Sequence, residues 1–476
     1  MLLTPTLTGD LWIAAIVGLM AWHSWHLYRQ GRWMLLDPIN TFWTGILICY
    51  VQQPILAGDV FVAWHDDSVF NRTLFAVLFG VAFVVLGYES RAGLRLARKL
   101  PQLPARLSSA KLLLAALILI AAGFSGYLYL INLSGGVNQW MSVGRGGTDY
   151  ERVQGYWAEL TNGLPAGVTL LLFRGEVHRP SHFSRILGWL AAGLMWLWFL
   201  YLGSRSRLIM FSMVILACYY LPRRRSPPLL LVVVLFFVLQ VSVNFQKNYR
   251  EQFTHLSFNL ANVQTQELWH NILPEFLGGK SELGGADISA GGEFNCALAV
   301  VRLVPETVSY NYGYGFLEVF TRLVPRAVWP EKRYPHLESV QGVLRTAELS
   351  TTTVVTAQRQ ELLMGPAFAF TGHWYYVGGL VGLMVGGVLT GVLFRFIRGF
   401  LDWSPQNHSV LITYPFLLSI GFSEAATTPG IWIFSLPFVL LPFIFVVYFC
   451  REQPAYASRN HTARRRETVP ASPQAP

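Results

Sequence analysis

The sequence predicts an all-α polytopic membrane protein. Three observations carry that prediction. Of 476 residues, 53% are hydrophobic and only 13% charged, about half the charge of a typical soluble chain. The mean hydropathy is +0.41. The 16 Trp, 20 Tyr and 32 Phe suit a chain with two membrane interfaces to line. This composition excludes a soluble globular enzyme and a disordered protein. Four cysteines in this length exclude a disulfide scaffold.

A transmembrane helix needs about 20 mostly apolar residues. The sequence offers about 11 such segments, near 11–28, 40–57, 73–88, 112–132, 156–173, 186–203, 208–222, 229–244, 376–394, 408–424 and 431–450. The first lacks a small-residue cleavage site after it and reads as a retained span. The chain thus divides into spans 1–8 (1–244), a long external loop (245–361), spans 9–11 (362–450) and a polar, disordered tail (451–476).

Orientation follows from the basic residues. One set of loops holds Arg29, Arg32, the run Arg91 to Lys111, Arg174, Arg179, Arg185, Arg223 to Arg225, Arg395, Arg398 and the tail. That set carries 21 of the 36 Lys and Arg but six of the 26 Asp and Glu. Its balance is +15 against −5 on the other side, within a net charge of +10. Such a bias makes this set cytoplasmic, puts the N-terminus outside and the C-terminus inside. The basic charge therefore marks orientation and gives no reason to expect nucleic acid. The loop 245–361 carries apolar and aromatic residues throughout, which predicts ordered structure with short helices on the membrane surface. Cys296 is its one cysteine, so no disulfide forms within it.

Several chemistries lack their motifs. There is no G-x-x-x-x-G-K-[ST] loop, no H-E-x-x-H and no paired C-x-x-C, so neither a phosphate-cradling ATPase nor a structured metal site is signalled. The third, fourth, sixth, eighth and eleventh spans are almost free of mid-membrane charge, which argues against an ion-coupled antiporter.

The informative charges are external arginines beside span ends, because the positive-inside rule disfavours them there. Arg145 and Arg152 flank G-R-G-G-T-D-Y-E-R, where Asp149 and Glu151 offer ordinary ion pairs. Arg205 and Arg207 sit in G-S-R-S-R-L, the turn between spans six and seven, with no acid nearby in sequence. Lys247 and Arg250 follow the eighth span. Arg322 and Arg326 share one helical face before W-P-E-K-R-Y-P; the plain alternative for them is an amphipathic helix on anionic lipid. Guanidinium groups grip phosphate oxygens two at a time, so several at the outer leaflet suit a lipid-linked diphosphate. His373, in F-A-F-T-G-H-W-Y-Y-V-G-G at the outer mouth of the ninth span, is a general-base or hydrogen-bonding candidate. A place in an aromatic interface belt is its equal alternative. The glycines of that span (378, 379, 382, 386, 387 and 391) read as close helix packing. Glu275, Glu293, Glu306, Glu318 and Glu424 are further candidate bases that sequence does not rank, though Glu424, at the outer end of the tenth span, is the least easily dismissed.

G-S-R-S-R-L (203–208), V-P-R-A-V-W-P-E-K (324–332) and G-H-W-Y-Y-V-G-G-L-V-G (372–382), in this order around a long late loop, resemble the O-antigen polymerase family, the Wzy-type oligosaccharide repeat unit polymerases. The layout resembles that family over about 11–450, and the motifs over 203–208 and 324–391. Arg333 follows Lys332 where many members have Pro.

The resemblance implies a metal-free, cofactor-free glycosyltransferase on the outer face of the bacterial inner membrane. It implies polyprenyl-diphosphate-linked oligosaccharides as substrates, with a chain-length regulator and a flippase as possible partners among the membrane lipids. On that reading Arg205, Arg207, Arg250, Arg322 and Arg326 hold the diphosphates and stabilise charge on the leaving group. His373 is the base or acceptor-orienting group, catalytic together with Arg205 and Arg207. Trp329, Tyr312 and Tyr314, with Tyr310, offer faces for sugars to stack on; an ordinary core or interface role is their alternative. The rivals are an O-antigen ligase with a different acceptor, a lipid-linked oligosaccharide flippase, which needs paired broken helices and a polar cavity, and a non-catalytic scaffold.

Overall fold

A computed structural model describes residues 4–133 apart from Trp33, then 160–178, 182–228 apart from 202–204, 292–317, 352–355, 361–364, 367–427 and 443–452, with single positions between these stretches. Among the described residues, six helices are long and apolar enough to cross a membrane: Pro38–His65, Asp67–Glu89, Ser109–Leu133, His182–Leu200, Ala369–Trp403 and His408–Ala426. The protein is an all-α membrane protein. A two-stranded antiparallel hairpin interrupts the helical pattern, β1 (Thr352–Val355) with β2 (Glu361–Met364), Thr352 pairing with Met364.

Local chemistry sets the helix ends. Helix α1 (Leu7–Arg29) begins where the Thr6 side chain accepts from Gly9 N. Helix α2 (Pro38–His65) begins at Asp37, whose carboxylate accepts from Ile39 N at 3.1 Å. Pro38 fills the first position, where no N–H is needed. Midway, Leu47–Gln52 widens into a π turn just before Pro54. A proline ring crowds the carbonyl four residues back and cannot donate to it. The wider turn takes up that misfit. A second break follows at Ala57 (φ −133°, ψ 20°).

Helices α3 (Asp67–Glu89), α4 (Ala92–Arg98), α5 (Ser109–Leu133), α6 (Gly163–Val177), α7 (His182–Tyr201) and α8 (Arg205–Tyr220) follow. Next come α9 (Glu293–Leu303), a 3₁₀ turn (Tyr314–Leu317), α10 (Ala369–Trp403) and α11 (His408–Ala426). The connections that hold the basic residues gather at one end of the bundle. There His408 N donates to Ala105 O at 3.0 Å, Ser108 N to Cys450 O at 2.8 Å and Glu452 N to Arg106 O at 3.3 Å. Glu176 is buried at this end and accepts from Arg185 Nε (3.0 Å), Trp189 Nε1 (2.7 Å) and Arg223. Burial pushes its carboxyl up, but these three donors outweigh that and hold it below the ordinary value of 4.5.

Among the described residues three apolar cores fill the bundle. The largest joins α1, α2, α3, α9, α10 and α11 and takes in Leu112 of α5 and Phe173 of α6. A second joins α5, α6, α7 and α8 around Tyr127, Leu172, Phe199 and Phe211. A third sits where α9 meets the start of α10, around Cys296, Val300, Phe368 and Tyr376. Helix α3 runs along the later part of α10 on a glycine seam, where a Cβ on Gly387 would come within 2.8 Å of the Gly80 carbonyl. Small residues allow this approach.

Two expectations change. The loop 245–361 is expected to lay short helices on the membrane surface, yet α9 is buried from Phe294 to Val301 within the bundle. Its central run F-N-C-A-L-A-V-V carries a single polar residue, Asn295, and so lacks the polar face of an interfacial helix. The ninth span is expected to begin near 376, but its helix begins at Ala369 and breaks at Gly378 and Gly379 (φ 63°). The left-handed backbone at Gly379 is one that glycine adopts at no steric cost.

Candidate functional site

The break in α10 reverses the chain. Residues 369–377 form a short helix that lies back against 380–391. The Trp374 indole rests on Gly386, and the Trp374 carbonyl on Gly382. In an unbroken helix Trp374 and Gly386 would stand about 18 Å apart. The last carbonyls of the short helix are satisfied by a turn: Asn311 N donates to Tyr376 O at 2.9 Å and Tyr312 N to Val377 O at 3.0 Å. Its first residues lie deep. Phe370 meets Phe42 of α2 edge-on (5.2 Å between ring centres), and Thr371 N donates to Tyr50 Oη at 3.0 Å.

Helix α9 lies beside this short helix and starts equally deep. Gln53 serves both of its first residues: its Oε1 accepts from Phe294 N at 2.9 Å, and its Nε2 donates to Glu293 Oε2 at 2.7 Å. Two half-helices thus direct their N-termini, each with a partial positive charge, toward the π turn of α2. His65 Nε2 and Asn295 Oδ1 meet at 2.7 Å, both residues buried. Glu424 of α11 is 1% exposed. Its Oε1 accepts from Trp374 Nε1 at 3.2 Å and from Thr390 Oγ1 at 2.9 Å. Ionisable groups at such depth are costly and usually serve function.

His373 is not at an open mouth. It is 3% exposed on the short helix, with Phe316 edge-on at 5.6 Å and Trp374 at 5.3 Å. The aromatic belt read from sequence folds inward because Gly378 and Gly379 turn the chain back. Tyr312 (80% exposed) and Tyr314 (47% exposed) stand on the turn that caps this helix, and the Tyr310 ring lies 5.7 Å from Tyr312. These tyrosines thus stand at the C-terminal end of the short helix that carries His373, whose own ring neighbours are Phe316 and Trp374. Trp329 is 43% exposed.

Arg205 opens α8, and Arg207 is half-buried on it. Both stand at the end of the bundle opposite the basic loops. Helix α8 packs against α11, which carries Glu424. Arg145, Arg152, Lys247, Arg250, Glu275, Glu318, Arg322 and Arg326 lie outside the described residues. Among the described residues there is no group of three or more His, Cys, Asp or Glu placed to hold a metal.

The sequence points to Glu293 and, as the least easily dismissed acid, Glu424, but not to Gln53, His65, Asn295, Tyr50 or Thr390. Pro54 in an apolar run was the one available signal for the π turn. Searches of family models, curated proteins and solved structures each returned no match.

Proposed function

We propose that this protein is an integral-membrane glycosyltransferase of the bacterial inner membrane that polymerises polyprenyl-diphosphate-linked repeat units at its outer face. The observation that carries the reading is the position of Arg205 and Arg207 at the head of α8, on the end away from the basic loops. The three motifs that resemble O-antigen polymerases accompany it. In this reading the chain crosses the membrane eleven times, with the basic end cytoplasmic.

Mechanistically, the growing chain on one lipid diphosphate passes to the terminal sugar hydroxyl of the next repeat. A glycosidic bond forms, the anomeric carbon–oxygen bond to diphosphate breaks, and the lipid diphosphate leaves. Arg205 and Arg207, with Arg250, Arg322 and Arg326, stabilise the charge that develops on the leaving group. His373 takes the acceptor proton or orients the acceptor. Tyr312, Tyr314 and Trp329 stack on sugar faces. The test is the glycan profile of a deletion strain. Single repeats accumulating on polyprenyl diphosphate support the polymerase; complete long chains still on the lipid support a ligase.

One observation favours a second reading. The break in α10 and the interrupted α2 are discontinuous helices of the kind that transporters use. Repeats trapped on the inner leaflet of the deletion strain would make a lipid-linked oligosaccharide flippase the better account.

A further inference from the structure

We infer that Glu424 is the positioning residue that holds the returned helix 369–377, and with it His373, in place. The inference deepens the proposed function, because it treats His373 as a working residue of that site.

The short helix has little of its own to keep it folded back. It has nine residues before Gly378, fewer than an isolated helix needs, and its link to the rest of α10 is a pair of glycines. Tyr50 holds its first turn and the turn at 311–312 its last carbonyls; the face toward α10 and α11 is held by side-chain chemistry. The Trp374 indole lies flat on Gly386, where the missing Cβ makes room. Flat packing on glycine lets a ring slide, whereas a hydrogen bond at its edge does not. Glu424 Oε1 supplies that bond to Trp374 Nε1 at 3.2 Å.

The same oxygen is itself fixed by Thr390 Oγ1 at 2.9 Å, one turn along α10 from Gly386. One buried atom therefore ties three segments: the short helix, the long part of α10, and α11. His373 is adjacent in sequence, and Phe316 packs on both His373 (5.6 Å) and Trp374 (5.7 Å). A tilt of Trp374 therefore moves the imidazole. For this role Glu424 supplies a fixed acceptor oxygen to Trp374 and Thr390.

That requirement separates positioning from proton transfer. Glu424→Gln keeps a carbonyl oxygen for Trp374 and Thr390 but cannot cycle a proton. Glu424→Ala removes the acceptor. The test uses His373→Cys in full-length protein in membranes, labelled with a water-soluble maleimide. Cys49, Cys218, Cys296 and Cys450 are all buried, so the background is low. With Glu424 intact, a 3% exposed position labels slowly. In the Glu424→Ala background labelling should speed up by about tenfold or more, because the bonds to Trp374 and Thr390 are lost. In the Glu424→Gln background it should stay near the parent rate. Trp374→Phe, which keeps an aromatic ring smaller than the indole and loses the N–H, should fall between the two, and it serves if Glu424→Ala does not fold. Parent-like labelling in both Glu424→Ala and Trp374→Phe overturns the inference. So does Glu424→Gln labelling as fast as Glu424→Ala.

Polymer length, measured in the His373-containing Glu424 variants, gives the second readout. Glu424→Gln should retain long chains and Glu424→Ala should lose them. If labelling follows the expected order while chain length never changes, the positioning role stands and the function assigned to His373 fails.

Discussion

Gly386→Ala tests the returned helix more sharply than any change to a polar group. A Cβ at 386 would overlap the Trp374 indole, so the ring must move. Overpacking of this kind costs about 1–3 kcal/mol. Moving the ring also weakens its bond to Glu424, about 1 kcal/mol more. Against this, alanine is better than glycine within a helix by about 1 kcal/mol. The net loss is about 1–3 kcal/mol. Gly193→Ala on α7 is the control, because nothing lies within 4 Å of the added Cβ and only the helix gain of up to about 1 kcal/mol remains. The two alanines should therefore differ by about 2–4 kcal/mol. The assay is the thermal unfolding midpoint of each purified variant in the same detergent, where Gly386→Ala should fall by a few degrees and Gly193→Ala should hold or rise. Equal midpoints would refute the reasoning. They would mean that Trp374 does not rest on Gly386.

Three further predictions follow from other parts of the molecule. Arg398 Nη1 lies 3.6 Å from Asp37 Oδ2, with both side chains largely buried; Arg398→Met should destabilise by about 3 kcal/mol, read as a lowered midpoint, and an unchanged midpoint would count against the pair. The Glu176 cluster depresses a carboxyl pKa, so its stabilisation is full above the ordinary value of 4.5 and is lost as pH falls through the lower folded value; in Glu176→Gln that acid-side dependence should shrink, and an unaltered pH profile would contradict it. His373→Ala should abolish long polymer while leaving the protein inserted in the membrane, and a normal ladder of chain lengths would remove His373 from the site.

Composition alone carried the fold class, since few charges and many apolar runs leave little choice but helices in lipid. The grouping of basic loops at one end was equally legible, because insertion reads charge segment by segment. The returned helix was not. Gly378 and Gly379 sit in a run of glycines in which Gly387 and Gly391 pack against α3 and Gly382 and Gly386 against Trp374. Nothing local marks which pair bends. The burial of α9 was legible in hindsight from its lack of a polar face. The partners of Glu424, Glu293 and His65 come from segments 34 to 240 residues away, and no short-range pattern encodes such meetings.

The most direct test of the functional account is the lipid-linked glycan profile of Arg205→Ala and Arg207→Ala, compared with the wild type and the deletion strain, with each variant shown to be inserted at normal level. The account predicts single repeats on polyprenyl diphosphate, loss of long chains, and only partial recovery with lysine, whose point charge lacks the planar fork of arginine. Wild-type chain lengths in both alanine variants would contradict it.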